Sequence, residues 1–454
     1  MEKKTKNYVT DFTKAPIAPA LLRFSLPLFL ASLLQVVYNM VDMIVVGHAL
    51  GKEGLSAVSV GGDVANLLTF IAMGFAGAAQ VLISQHVGAG RTRVLGSFIG
   101  TTFTFSMLAA LLLSILCLCF RMPILRLMNT PTEAFEDALG YATVSIVGLI
   151  FIYGYNVASA VLRGMGDSKR PFIFIAIASI LNVLLDLLFV LGLGMRATGA
   201  ALATVISQGV SFLFAVFFVW RYKERFGLSF TARDFYHIDK AHLSPLLKLG
   251  IPMAIKGASI QISKLFVNAY INSYGLAVSG FAGIANKIGS ISNLVSNSLN
   301  TAGSSMVGQN IGAKEYKRVP KIVLCIALLT FGMASVFSLA ICLFPMQVYG
   351  IFTTDPAVLE VGLTYLPIAV LIFFGSAARS PMNALINGTG NYGVNFATAI
   401  LDGIVMRIGL SVLFGLVLHM ESFGFWLGDA LAGFTPFFIG IVYYVTGLWK
   451  RERE

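Results

Sequence analysis

Gln85-His86-Val87-Gly88-Ala89 returns 224 residues later as Gln309-Asn310-Ile311-Gly312-Ala313, and Leu162-Arg163-Gly164-Met165-Gly166-Asp167 returns as Ile386-Asn387-Gly388-Thr389-Gly390-Asn391. Leu26-Pro27 reappears as Ile251-Pro252, Thr130-Pro131 as Asp355-Pro356, and Gly199 as Gly424. Solenoid repeats run to roughly 20–50 residues. A period this long points instead to duplication of a whole helical bundle, a construction shared by many polytopic membrane proteins. It places function at the seam between two related halves.

Composition sets the class. Hydrophobic residues make up 57% of the chain, charged residues 12%, and the mean hydropathy is +0.82. Soluble domains carry about 25% charged residues, so this chain reads as a polytopic membrane protein. Residues 1–16 are polar and basic, with no short apolar run before a small-residue cleavage site, and read as a cytoplasmic tail. Spans are expected near 17–47, 54–86, 94–120, 137–163, 170–193, 197–221, 244–274, 277–310, 319–345, 358–387, 393–418 and 423–448. The net charge of +11 is distributed by side: the N-terminus, the even-numbered loops with the span ends that flank them, and the C-terminus hold 22 Lys and Arg, and the odd-numbered loops hold four. That asymmetry puts both termini in the cytoplasm and explains the basic excess without nucleic acid. Cys117, Cys119, Cys325 and Cys342 lack metal-ligand spacing and read as small apolar filler.

Six spans per half return the chain to its starting side, so the halves are expected to be parallel repeats. The expected fold is all-α and integral to the membrane, with twelve transmembrane helices in two six-helix lobes. Its parts are a cytoplasmic tail (1–16), an N-lobe (17–221), a cytoplasmic linker (222–243), a C-lobe (244–448) and a cytoplasmic C-terminal tail (449–454). Pro27 and Pro252 sit at equivalent places in the first span of each half. Each removes a backbone hydrogen bond and marks either a hinge or a helix start at the interface.

Ionisable residues at bilayer depth cost roughly 2.5–3.5 kcal/mol on insertion scales and normally face a cavity or a partner. Asp42 follows Tyr38 and Asn39, with Asn39 about one turn away. Asn182 and Asp186 lie at i, i+4 on one face, and Thr204 lies beyond a short turn. Carboxylate, amide and hydroxyl oxygens converging in a low-dielectric pocket suit a hard cation. Two adjacent carboxylates also suit a shared proton. Buried interhelical hydrogen bonds are the alternative.

The run Tyr38-Asn39-Met40-Val41-Asp42-Met43-Ile44-Val45-Val46-Gly47, with Leu50-Gly51 after it, resembles the first-span signature of multidrug and toxic compound extrusion (MATE) transporters. The 85–90, 163–167, 182–186 and 309–313 motifs extend the resemblance across nearly the whole chain. It implies a V-shaped transporter that exports organic molecules against Na⁺ or H⁺ influx. In one prokaryotic branch the N-lobe holds the coupling cation with residues matching Asp42, Asn182, Asp186 and Thr204. Gln35, Tyr38, Asn39 and Asn156 are expected to support that cavity. Other branches place a Glu in the seventh span, where this chain has Lys256 and Lys264.

The second half is the more basic. Lys256, Lys264 and Arg407 could meet an anionic or zwitterionic substrate, or pair with Asp402 and Asp429, and the reading favours pairing. Asp402 and Arg407 form a candidate ion pair at i, i+5, and Thr204 corresponds to Asp429. No cofactor is expected beyond the coupling ion. The expected partners are a small organic substrate, a coupling cation and the bilayer of the plasma (inner) membrane, with the protein acting as a monomer. A lipid-linked oligosaccharide or lipid flippase of the same superfamily is the alternative. An enzyme is disfavoured, because the five histidines are scattered and no Gly-x-Ser-x-Gly or His-x-x-Glu-His arrangement occurs.

Overall fold

The computed structural model describes residues 8–128 and 130–450, so the beginning of the expected N-terminal tail and residues 451–454 of the C-terminal tail lie outside it. The described chain is helical throughout. Its α-helices are α1 (Ile17–Gly88), α2 (Thr92–Leu127), α3 (Phe135–Val147), α4 (Leu149–Gly164), α5 (Lys169–Asp186), α6 (Arg196–Arg221), α7 (Lys240–Asn272), α8 (Leu276–Gly312), α9 (Val319–Leu343), α10 (Pro345–Gly350), α11 (Pro356–Thr389), α12 (Tyr392–Ile400), α13 (Arg407–Val412), α14 (Glu421–Ala432) and α15 (Thr435–Val445).

The first two expected spans form one continuous run, α1, whose backbone leaves the helical region only at Gly51, at φ 62° and ψ −147°. That φ is costly for any residue with a Cβ, which is why a glycine marks the junction. The fourth expected span is α3 and α4 together, bent by 44°. Among the described residues eight helices are long and apolar enough to cross a membrane, or nine with that bent pair. Helices α7 and α8, at 33 and 37 residues, are long enough but more polar. Their Lys256, Lys264, Asn268, Asn286 and Asn293 belong to the site described below.

Helix α2 shows how the bundle is built for lipid. Its buried positions include Thr101, Thr102, Ser106 and Ser114, while Leu108, Leu111, Leu112 and Ile115 are exposed, Leu112 at 67%. Small polar residues inside allow helices to approach and to bond one another: Ser114 donates to the carbonyl of Ile146 at 2.8 Å. The outward leucines match an apolar solvent, as expected of a multi-pass membrane protein.

The chain divides into two compact units. Among the described residues, unit 1 comprises 8–10 and 26–250, and unit 2 comprises 11–25 and 251–450. Unit 1 is cored by Val46, Ala57, Ala138, Leu149 and Ala200. Unit 2 is cored by an aromatic cluster in which Phe281 meets Tyr349 and Tyr365, with centroids 5.1 and 5.2 Å apart, and Tyr365 meets Trp426 at 5.0 Å. The unit boundaries depart from the expected domain limits at 17, 221 and 244. The described part of the N-terminal tail is built into the fold. In unit 1, Tyr8 and Thr10 donate to the carbonyls of Arg225 and Met165. In unit 2, Phe12 N donates to Gln309 Oε1 at 2.9 Å, and Arg318 donates to the carbonyls of Phe12 and Ala15. The linker segment packs on α2, where Thr104 donates to the Phe235 carbonyl at 2.7 Å.

Candidate functional site

Three helices of unit 1 deliver its buried polar centre. Asp42 comes from α1, Asn182 and Asp186 from successive turns of α5, and Thr204 from α6. Asp42 is 5% exposed, Asn182 2% and Asp186 0%. Asn182 Nδ2 donates to Thr204 Oγ1 at 3.3 Å. The carboxyl groups of Asp42 and Asp186 lie within hydrogen-bonding reach of one another. Asp42 Oδ1, Asn182 Oδ1 and both oxygens of Asp186 have no donor among the described residues.

A buried acceptor left unpaired costs about 1–3 kcal/mol, more when charged. Here four such oxygens converge from two helices. A hard cation satisfies them all at once, and a proton shared by the facing carboxylates relieves their repulsion. The arrangement can do either.

Sequence reading missed three neighbours. Gln208 lies near Tyr38, and Tyr141 is close enough to both carboxylates to feel their charge, with Tyr155 beside Tyr38. Gln208 lies one turn beyond Thr204, so the i, i+4 rule held the signal. Tyr141 and Tyr155 carried none. Of the expected supporting residues, Asn156 spends its amide on the Ile152 carbonyl of its own helix, at 2.8 Å. Gln35 is half-buried and Asn39 is exposed. Asn39 therefore does not join the buried ring as its spacing suggested. Three residues turn an α-helix by about 300°, which leaves Asn39 about 60° from Asp42 around the axis and outside the inward stripe.

Unit 2 solves its polar problem differently. Arg407, 2% exposed, donates from Nη2 to Asp402 Oδ1 at 3.2 Å and from Nη1 to Asp429 Oδ1. Lys256 Nζ donates to Asn383 Oδ1 at 2.6 Å. Arg379, which the expected site left out, donates to Asn293 Oδ1 and to Ser376 Oγ. The expected pairing of Lys256 and Lys264 with Asp402 and Asp429 does not form. A planar guanidinium offers two carboxylates separate nitrogens at once, which an ammonium on a flexible stem cannot match. Pro27 and Pro252 both lie well inside their helices, not at a helix start.

The two centres are related by the repeat. The offset is 224 residues at Gly390 and 225 at Gly424. The extra residue is absorbed by a π-helical turn, Leu401–Met406, that α5 lacks, since such turns take up single insertions. Beyond it Arg407 stands where Asn182 stands, Ser411 where Asp186 stands, and Asp429 where Thr204 stands. The backbone agrees. Leu193 N to Leu188 O and Met195 N to Phe189 O recur as Leu418 N to Leu413 O and Met420 N to Phe414 O. The Asn182–Thr204 hydrogen bond of unit 1 is the Arg407–Asp429 ion pair of unit 2.

Comparisons with known proteins converge. The sequence profile of the MatE family matches residues 27–188 and 252–418. The chain is 29% identical to the probable multidrug resistance protein YoeA of Bacillus subtilis, over 100% of this chain and 99% of that one. It is likewise 29% identical to the probable multidrug resistance protein YpnP of Bacillus subtilis, over 97% of each. Among solved structures, a MOP superfamily transporter from Pyrococcus furiosus is 24% identical, with a TM-score of 0.89 over 99% of this chain and 100% of that one. At that identity the likeness establishes the fold.

Proposed function

Because the chain belongs to the MatE family of membrane transporters, we propose that it is a cation-coupled antiporter exporting organic, amphiphilic drug-like or metabolite molecules by alternating access. The names of its relatives, multidrug resistance proteins, support the substrate class. The observation that carries the coupling is the set of unpaired oxygens on Asp42, Asn182 and Asp186. In this reading Na⁺ or H⁺ enters that set, with Thr204 holding the Asn182 amide in place.

Coupling requires that the ion and the substrate favour different states of the protein. Asp42 links the ion to α1. The chain passes between the compact units at 10–11, 25–26 and 250–251, and the last two passages come directly before Pro27 and Pro252. A helix lacking one backbone hydrogen bond bends there at low cost, so ion-dependent movement of α1 would be communicated at Pro27. The Lys and Arg distribution supports cytoplasmic termini in a cell-membrane protein, working as a monomer.

Accumulation of an amphiphilic dye in cells tests the proposal. Cells expressing the protein should accumulate less dye than controls while Na⁺ and H⁺ gradients stand, and equal amounts once both are collapsed. Exclusion that survives collapse of both gradients would rule out ion coupling.

A further inference from the structure

Inside unit 2 four cationic side chains, Lys256, Lys264, Arg379 and Arg407, share two carboxylates, Asp402 and Asp429. Arg407 takes both. Lys256 and Arg379 are left with amide and hydroxyl oxygens, which solvate a charge without cancelling it. Lys264 has neither an ion pair nor a hydrogen bond among the described residues. Unit 2 is therefore two negative charges short, at a depth where an unneutralised cation is expensive.

Lys264 opens on a cavity of about 90 Å³, shared with Asn268, Asn286, Asn293, Tyr365 and Trp426. Asp429 reaches the same wall and is paired with Arg407, while Lys264 and Arg379 also feel its charge, so one carboxylate serves three cations. The amides of Asn268 and Asn286 have no hydrogen-bond partner among the described residues and so are free to donate. A water molecule occupies about 30 Å³ of liquid volume, so the cavity has room for a headgroup of a few heavy atoms. One ammonium, free amide donors and two aromatic walls make a receptor for a small anion with an apolar neck.

We propose that this cavity binds the anionic headgroup, carboxylate or phosphate, of an amphiphilic substrate, with Lys264 as its counter-ion. The proposal rests on the export reading only in making the headgroup part of the exported molecule. It gives the two units different tasks: the centre of unit 1 takes a cation, and the cavity of unit 2 takes an anion.

Thermal unfolding of the purified full-length protein in detergent tests this without transport. The probes are hexyl phosphate, hexanoate, hexyltrimethylammonium, hexanol and inorganic phosphate. At least one of the two amphiphilic anions should raise Tm saturably, while the cation and the alcohol leave it unchanged. Lys264→Gln should weaken that response at least tenfold, and Lys264→Arg should retain most of it. Should Lys264→Gln not fold, Asn286→Ala must weaken the response several-fold. Equal shifts from anion, cation and alcohol overturn the proposal, as does an anion response unaltered in these variants. An equal shift from inorganic phosphate overturns the amphiphile. A protein that binds hexyl phosphate through Lys264 but exports nothing contradicts the export reading alone. One that exports in a gradient but shows no Lys264-dependent binding contradicts this inference alone.

Discussion

At position 182 the chain has asparagine, and at the equivalent place in the second half, 407, it has arginine. The exchange accounts for much of the chemical difference between the units. The neutral amide leaves its oxygen and those of Asp42 and Asp186 unpaired, whereas the guanidinium supplies its own charge to Asp402 and Asp429. Removing one partner of a buried ion pair costs about 3–5 kcal/mol, because the other charge is left stranded. Arg407→Asn should therefore lower thermal stability sharply in detergent. Adding Asp429→Thr rebuilds the Asn–Thr pair of unit 1 and should recover part of the loss, leaving the share due to Asp402. A double variant no more stable than the single one would show that the two sites are not equivalent. The unit 1 ring was legible because Asn182 and Asp186 share a helix face and Asp42 sits in a recognisable motif. Asp429 was legible as the partner of Thr204. The Asp402–Arg407 pair was legible at i, i+5, but that the same arginine would also take Asp429 was not, since spacing along separate helices says nothing of which cation wins.

Single residues also decide how the elements run. Helix α14 passes so close to α13 that a Cβ on Gly428 would lie 2.3 Å from the backbone nitrogen of Ser411. Real Cβ atoms do not approach that closely, so Gly428→Ala must push α14 away and draw the adjacent Asp429 off Arg407. Overpacking of this kind costs typically 1–3 kcal/mol. Thermal unfolding should register it, and a variant as stable as the parent would mean that α14 yields elsewhere. Pro27 belongs to the same scale. Pro27→Ala restores a backbone hydrogen bond inside α1, and should slow transport turnover while leaving substrate affinity unchanged. Equal turnover would remove the hinge. The long apolar runs and the two prolines were readable from the chain. The π-helical turns at Leu187–Gly192, Leu401–Met406 and Leu413–Val417 were not. They follow from one-residue register shifts that hydrophobic periodicity does not resolve, and they adjoin Asp186 and contain Asp402.

On the scale of the whole molecule, a duplicated bundle has kept its backbone and exchanged its chemistry. Both units bury small and polar residues and turn leucine and phenylalanine outward, as a bilayer demands. The duplication was visible in the sequence, and so was the greater basicity of the second half. The division of the described chain into compact units was not: residues 11–25 belong with unit 2, because Gln309 and Arg318 bind the Phe12–Ala15 backbone and no sequence pattern announces such a bond. The central claim remains that the unpaired oxygens of unit 1 couple export to an ion. The most direct measurement is dye transport by the purified protein in liposomes under an imposed Na⁺ or H⁺ gradient, comparing the parent with Asp42→Asn and Asp186→Asn. The account predicts gradient-driven transport by the parent and its loss in each variant, by at least tenfold, with dye affinity and thermal stability largely retained. Full gradient-driven transport by either variant would contradict it.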